Sequence, residues 1–148
     1  MIRALAVLLL FASPAVAELS AQWSHASAPG GQFEGGYTGK GGEFINYSCT
    51  SFSAQLSIGA NGMHVAKGSA TLKIDGATLY EGQINYYNVS DISQVDFGLD
   101  SNSHDYEKDI YQRVASAIAN GREAVLITPT GEQFSYSLEG SKGIRSCL

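Results

Sequence analysis

Basic residues are scarce in this sequence. Nine Lys and Arg stand against fourteen Asp and Glu, which gives a formal net charge of −5 with neutral His. Nucleic acids and anionic lipid surfaces are bound through clusters of positive charge. We therefore expect neither a nucleic-acid partner nor a basic membrane-binding face.

Cysteine is also scarce, because Cys49 and Cys147 are the only two in the chain. Outside the cytoplasm an even pair typically forms one intramolecular disulfide, and a free or intermolecular thiol is the alternative. A bridge that closes so long a loop stabilises by up to about 4–5 kcal/mol in the chain-entropy model. No Cys then remains as a nucleophile, and the sequence has no Gly-x-Ser-x-Gly elbow, so nucleophilic catalysis has little support.

Long apolar runs are absent except at the N-terminus. There, Arg3 is followed by the apolar run 4–11, by the helix breaker Pro14 and by the small residues 15–17. This order is typical of a cleaved secretory signal, and the run is too short to span a bilayer. We therefore expect residues 1–17 to be removed, with an uncleaved anchor as the alternative.

The remaining residues, 18–148, are enough for one domain with a substantial core. They contain no segment that is long and apolar enough for a membrane helix. We expect a single periplasmic or secreted domain without a membrane span.

Apolar residues that alternate with polar ones are the dominant pattern in this domain. Such alternation predicts strands with one buried and one wet face. Residues 124–127 are instead apolar on both sides, as in a central strand. The alternating stretches are 45–49, 54–58, 70–74, 95–99 and 134–138.

Three turn signals lie between these stretches: Asn61-Gly62, Asp75-Gly76 and Pro129-Thr130-Gly131. Asn-Gly and Asp-Gly accept the positive φ angles that tight hairpins require. Short strands at this spacing predict a mainly β fold, an antiparallel β-sandwich or a barrel-like sheet.

One helix is predicted over residues 103–120. Its apolar residues recur at helical spacing, and Asn120-Gly121 is a typical helix end. We expect its apolar face to pack on the sheet. A short turn over 141–145 would then bring Cys147 to its partner.

The stretch 34–43, EGGYTGKGGE, has some likeness to a phosphate-binding loop. However, Lys40 is followed by Gly41 where Ser or Thr should hold magnesium, and a strand rather than a helix follows. We predict a flexible loop or wide hairpin that could take part in binding through Tyr37 and Lys40.

Aromatic side chains are the other binding candidates, namely Trp23, Tyr86 and Tyr87. Tyr86 and Tyr87 are adjacent on a predicted strand, so they point to opposite faces and one should be exposed. Exposed tyrosines suit protein or sugar recognition. The alternative is that strands simply favour Tyr.

Acidic residues concentrate between 91 and 109, which suggests a weak calcium site. Asp96, Asp100, Asn102 and Asp105 supply the oxygen ligands that calcium prefers. The segment from Asp100 to His104 resembles the start of a calcium loop, but the required glycine and closing Glu are missing. The alternative is that these carboxylates are solvent-exposed side chains of a loop and of the first turn of a helix. We expect no cofactor.

A family resemblance is carried by Trp23, by FINYSC at 44–49 and QLSI at 55–58, and by LKIDG at 72–76. The C-terminal FSYSLEGS at 134–141 and Cys147 complete it. Together these residues resemble the invasion-associated locus B family and a periplasmic accessory protein of type VI secretion. The likeness covers most of residues 21–148, although the additional cysteines of the first family are missing. It implies an envelope protein with an interaction role and carries over no catalytic residue.

The sequence thus predicts a non-enzymatic envelope protein that binds another protein or an envelope component. A small hydrolase of cell wall or polysaccharide, using carboxylates between 91 and 109, is one alternative. An acidic inhibitor of a cationic enzyme is another, because negative charge steers such a partner.

Overall fold

The computed structural model describes residues 21–61, 68–88, 90–100 and 105–148, without the side chains of Asp105 and Tyr106. The expected signal at 1–17, Gly62 of the Asn61-Gly62 turn, and Asn102 lie outside the described residues.

Within these ranges, ten strands form two antiparallel sheets. The six-stranded sheet has the order β1-β2-β3-β4-β8-β7, and the four-stranded sheet has the order β10-β9-β5-β6. The predicted β-sandwich is confirmed. The strands are β1 Gln22–Ala28, β2 Gln32–Thr38, β3 Glu43–Cys49, β4 Ser53–Asn61, β5 Ser69–Ile74, β6 Ala77–Gln83, β7 Asn85–Tyr87, β8 Ile92–Asp100, β9 Glu123–Ile127 and β10 Gln133–Ser137.

The core lies between the two sheets, where the apolar members of each alternating stretch meet. Ile45, Ile58 and Val95 are paired across β3, β4 and β8 and are all buried. Tyr136 of β10 is also buried, and its hydroxyl donates to the carbonyl of Gly59 at 2.9 Å, which links the sheets. Burial raises the pKa of Tyr136 because the charged form would lose its hydration.

The Asp75-Gly76 turn joins β5 to β6 as predicted, with φ angles of 48° and 83°. The Asp75 carboxylate also accepts the backbone N–H groups of Arg122 and Glu123, each at 3.0 Å. These hydrogen bonds lower the pKa of Asp75 because they favour its charged form. Asp75 therefore fixes the entry to β9 as well as its own hairpin.

The helix α1 (Asp105–Asn120) confirms the predicted helix, whose first two residues lie outside the described part. Its buried side chains include Tyr111, Val114 and Ile118. A 3₁₀ helix (Ser141–Cys147) packs against it, and the Tyr111 hydroxyl donates to the carbonyl of Cys147 at 3.1 Å. Burial raises the pKa of Tyr111 to about 12.

The predicted disulfide is present between Cys49, at the end of β3, and Cys147. Their Cα atoms are 5.5 Å apart, and both residues are buried. The bridge spans 98 positions of sequence, so it ties the C-terminus to the middle of the six-stranded sheet.

Of the two predicted forms of the stretch 34–43, the structure shows the hairpin and not the flexible loop, because residues 34–38 belong to β2, which pairs antiparallel with β3. Only residues 39–42 form the turn, where the N–H of Gly39 donates to the carbonyl of Glu43 at 2.7 Å. Gly35 interrupts the alternation of apolar and polar residues in β2, and close packing explains why glycine occupies this position. A Cβ at Gly35 would collide with the carbonyl of Ser24 and would lie 2.7 Å from the Tyr47 hydroxyl.

Replacing Gly35 by Ala should therefore destabilise the protein by about 1–3 kcal/mol, the usual cost of overpacking. Gly98→Ala is the matched control, because a Cβ there would have no neighbour within 4 Å. The control should change stability by no more than about 0.5 kcal/mol. Urea unfolding measures both, and equal midpoints for the two variants would contradict this packing role.

Loss of the disulfide should lower the free energy of unfolding by about 2–4 kcal/mol, because the unfolded chain gains entropy. The double variant Cys49→Ser/Cys147→Ser should unfold at lower urea than the oxidised protein and should not respond to dithiothreitol. An unchanged urea midpoint would show that the bridge does not support the fold.

Candidate functional site: the outer face of the six-stranded sheet

The six-stranded sheet presents a polar surface on the side turned away from the core. The strand register places Ser24, Gly36, Asn46, Ser57 and Asp96 in one row across five strands. At about 4.8 Å per strand, this row extends roughly 19 Å. We call this surface the polar face, and its outward side chains include Ser24, Glu34, Thr38, Asn46, Ser48, Gln55, Ser57, Asn85, Tyr87, Gln94 and Asp96.

A shallow depression of about 490 Å³ lies over the β1–β4 part of the polar face. Hydroxyl and amide side chains line most of it, among them Ser48, Asn46 and Gln55. Gly36 adds no side chain to the row, and the Oδ1 atom of Asn46 would lie 2.7 Å from a Cβ at that position. Such a volume is within the range of small-ligand sites, but the lining is far more polar than is usual.

Asp96 is the centre of a hydrogen-bond network at the other end of the row. Its Oδ1 accepts from the Ser57 hydroxyl at 2.7 Å and from the Gln94 amide at 2.5 Å. Its Oδ2 accepts from the Asn85 amide at 3.0 Å and from the Tyr87 hydroxyl at 3.2 Å. The carboxylate therefore holds side chains of β4, β7 and β8 in fixed positions.

Tyr86 and Tyr87 lie on β7, the edge strand, with 43% and 47% of their surface exposed. The charge of Asp96 raises the pKa of Tyr87, and their hydrogen bond adds to the effect. The Tyr86 hydroxyl donates to Asp91 at 3.0 Å, and this bond raises the pKa of Tyr86. A second shallow depression, of about 470 Å³, lies beside both tyrosines.

The other predicted binding residues lie elsewhere. Trp23 packs against the core, and its indole N–H donates to the carbonyl of Ser137 at 2.8 Å. Tyr37 is only 5% exposed and is part of the core. Lys40 is exposed in the turn between β2 and β3. The structure thus brings Tyr87 to the polar face and places Trp23 and Tyr37 in packing positions.

His25 holds β1 in place beside the depression. Its Nε2 lies 2.7 Å from the carbonyl of Gly140, and its Nδ1 lies 2.6 Å from the Tyr47 hydroxyl. A carbonyl can only accept, so Nε2 carries the proton, and Tyr47 donates to Nδ1 when the ring is neutral. Burial raises the pKa of Tyr47. These contacts fix the strand that carries Ser24.

The calcium site stays a prediction, since Asn102 and the side chain of Asp105 lie outside the described residues. Asp96 already accepts four hydrogen bonds. Asp100 lies four residues further along β8 and on the same side of the strand, because alternate residues share a face. Within the described ranges, no three His, Cys, Asp or Glu residues come close enough together to hold a metal ion.

A further depression of about 420 Å³ lies beside β8 and the start of α1. Three carboxylate residues line it, namely Asp96, Asp100 and Glu107, together with the rings of Tyr80 and Phe97. This is where the structure places the carboxylates of the hydrolase alternative.

Asn46, Gln55, Ser57 and Gln94 are residues of the site that the sequence did not predict. Each is a polar member of an alternating strand, and the alternation showed only that one face is wet. A side-by-side alignment of the strands would have revealed the polar row, because paired residues share a face.

Comparison of the chain with known protein families, with curated proteins and with solved structures finds no significant match. Among the helices in the described part of the chain, none is long and apolar enough to cross a membrane.

The two edge tyrosines should respond to different carboxylates. Asp96→Asn should lower the pKa of Tyr87 and leave that of Tyr86 unchanged, because it removes the charge but keeps an acceptor oxygen. Asp91→Asn should do the reverse, which makes each variant the control of the other. Titration of ¹³Cζ-labelled tyrosines by NMR measures both pKa values. A shift of both tyrosines in one variant would contradict the separate pairings.

Proposed function

We propose that the protein is an exported, non-enzymatic binding module of the cell envelope that holds its ligand on the polar face. The observation that carries this proposal is the row from Ser24 to Asp96, in which four of five neighbouring strands present a hydrogen-bonding side chain. These side chains take no part in the core.

Rigidity supports a binding role for this surface. The side chains of the polar face stand on paired strands, and the opposite side of β3, β4 and β8 is packed in the core. The Asp96 network further fixes Ser57, Asn85 and Tyr87. A site that is already ordered loses less conformational entropy when a ligand binds, so more of the contact energy appears as affinity.

Export is supported by two features. The N-terminal residues have the order of a secretory signal, and the buried Cys49–Cys147 disulfide suits an oxidising compartment. The bridge ties the C-terminus to β3, so its formation after export would complete the fold.

The hydrolase alternative is favoured by the three carboxylates around the depression beside β8. A catalytic carboxyl has to exchange a proton or a bond with the substrate. Both oxygens of Asp96 are instead engaged by donors of the protein itself. Any activity on wall material that is found and that persists in both Asp96→Asn and Asp100→Asn would exclude this site.

A bulky charged side chain in the middle of the polar face should block binding. Asn46→Arg fills the depression, whereas Ser135→Arg adds the same charge to an exposed position of β10 in the other sheet. In pull-downs from an envelope extract, Asn46→Arg should recover the bound component with about tenfold lower affinity or worse, a loss of about 1.4 kcal/mol. Ser135→Arg should behave like the unaltered protein.

Two outcomes would contradict the proposal. One is that the unaltered protein recovers no specific component. The other is that Asn46→Arg and Ser135→Arg recover it equally well. Circular dichroism and urea unfolding of both variants verify that the fold is intact.

A further inference from the structure

We infer that the ligand of the polar face is a neutral, unbranched glycan that lies across the strands from β1 towards β8. This inference rests on the proposed binding function and specifies the chemical class of the ligand.

Charge argues against anionic ligands. Of the described residues that line the depression, none is Lys or Arg, and Glu34 supplies a carboxylate. Asp96 adds a second negative charge at the end of the row. Phosphates and uronic acids are normally held by Arg or Lys, and here they would face like charge without a cationic partner.

Hydrogen-bonding capacity matches that of a sugar. The side chains of Asn46, Gln55 and Ser48 each offer both a donor and an acceptor. Sugar hydroxyl groups also donate and accept, so each can pair with such a side chain in either direction. Because these groups repeat from strand to strand, they suit a ligand that itself repeats.

The lining is unsuited to a protein partner. The centres of protein interfaces are rich in aromatic residues, Met and Arg, which anchor in apolar pockets. Among the outward side chains around the depression, Ala26 is the only aliphatic one in the described structure. A protein docked in the depression would gain hydrogen bonds but no buried apolar anchor, because the exposed ring of Tyr87 lies outside the depression.

Tyr87 supplies the apolar contact that a sugar needs. The C–H face of a sugar ring is apolar and stacks on an aromatic side chain, and almost half of Tyr87 is exposed. Its hydroxyl is held by Asp96, so the orientation of the ring is set before a ligand arrives. The row from Ser24 to Asp96 is long enough for several sugar rings.

The test is an NMR titration of ¹⁵N-labelled protein with cellohexaose, maltohexaose and chitohexaose as neutral probes, and with hexagalacturonate as the anionic probe. At least one neutral hexasaccharide should shift the side-chain amide signals of Asn46 and Gln55. Asn46→Arg and Tyr87→Ala should each weaken that binding by about tenfold or more. Ser135→Arg should leave it unchanged, and Tyr87→Phe, which keeps the ring, should retain most of it.

The inference is overturned if no neutral probe shifts the polar-face signals, if the shifts map elsewhere, or if hexagalacturonate binds as tightly. These results differ from a failure of the proposed function. If no glycan binds but Asn46→Arg still loses the component recovered from the envelope extract, the polar face is a binding surface and its ligand is not a neutral glycan.

Discussion

Burial of alternate side chains between the two sheets controls the position of every polar group on the outside. Ile45, Ile58 and Val95 are paired across three strands and are sealed in the core. A slip of one residue in one of these three strands would expose its apolar side chains and bury their polar neighbours, at a cost of several kcal/mol. The same register that buries the apolar row therefore aligns Asn46, Ser57 and Asp96 on the polar face.

The first and the last of the described segments are held to this sheet by different means. The C-terminal segment is held by the Cys49–Cys147 disulfide and by the hydroxyl of Tyr111, which donates to Cys147. At the N-terminal side, Trp23 and His25 bind the carbonyls of Ser137 and Gly140. These contacts keep β1 in the sheet, and β1 forms one wall of the depression.

Much of the fold could be predicted from local patterns. The strands around 45–49, 54–58 and 95–99 follow from strict alternation, and the helix follows from its apolar spacing. The prediction failed at β2, because Gly35 and Gly36 have no side chain to continue the alternation. Glycine is required at these two positions because Tyr47 and the neighbouring backbone approach closely, and only the assembled sheet shows this approach.

The sequence by itself determined the class of fold, the Asp75-Gly76 turn and the acidic balance of the chain, and it favoured one disulfide between the two cysteines. The class of fold follows from side-chain periodicity, the turn follows from the backbone preference of residues such as Asp75, and the charge follows from the numbers of acidic and basic residues. Only the tertiary structure decided that Asn46, Ser57 and Asp96 share a row, that Tyr87 is exposed while Tyr37 is buried, and that Asp96 accepts four hydrogen bonds. Alternation along one strand indicates which of its residues face solvent. Hydrogen bonding between strands that are distant in sequence decides which of these solvent-exposed residues become neighbours.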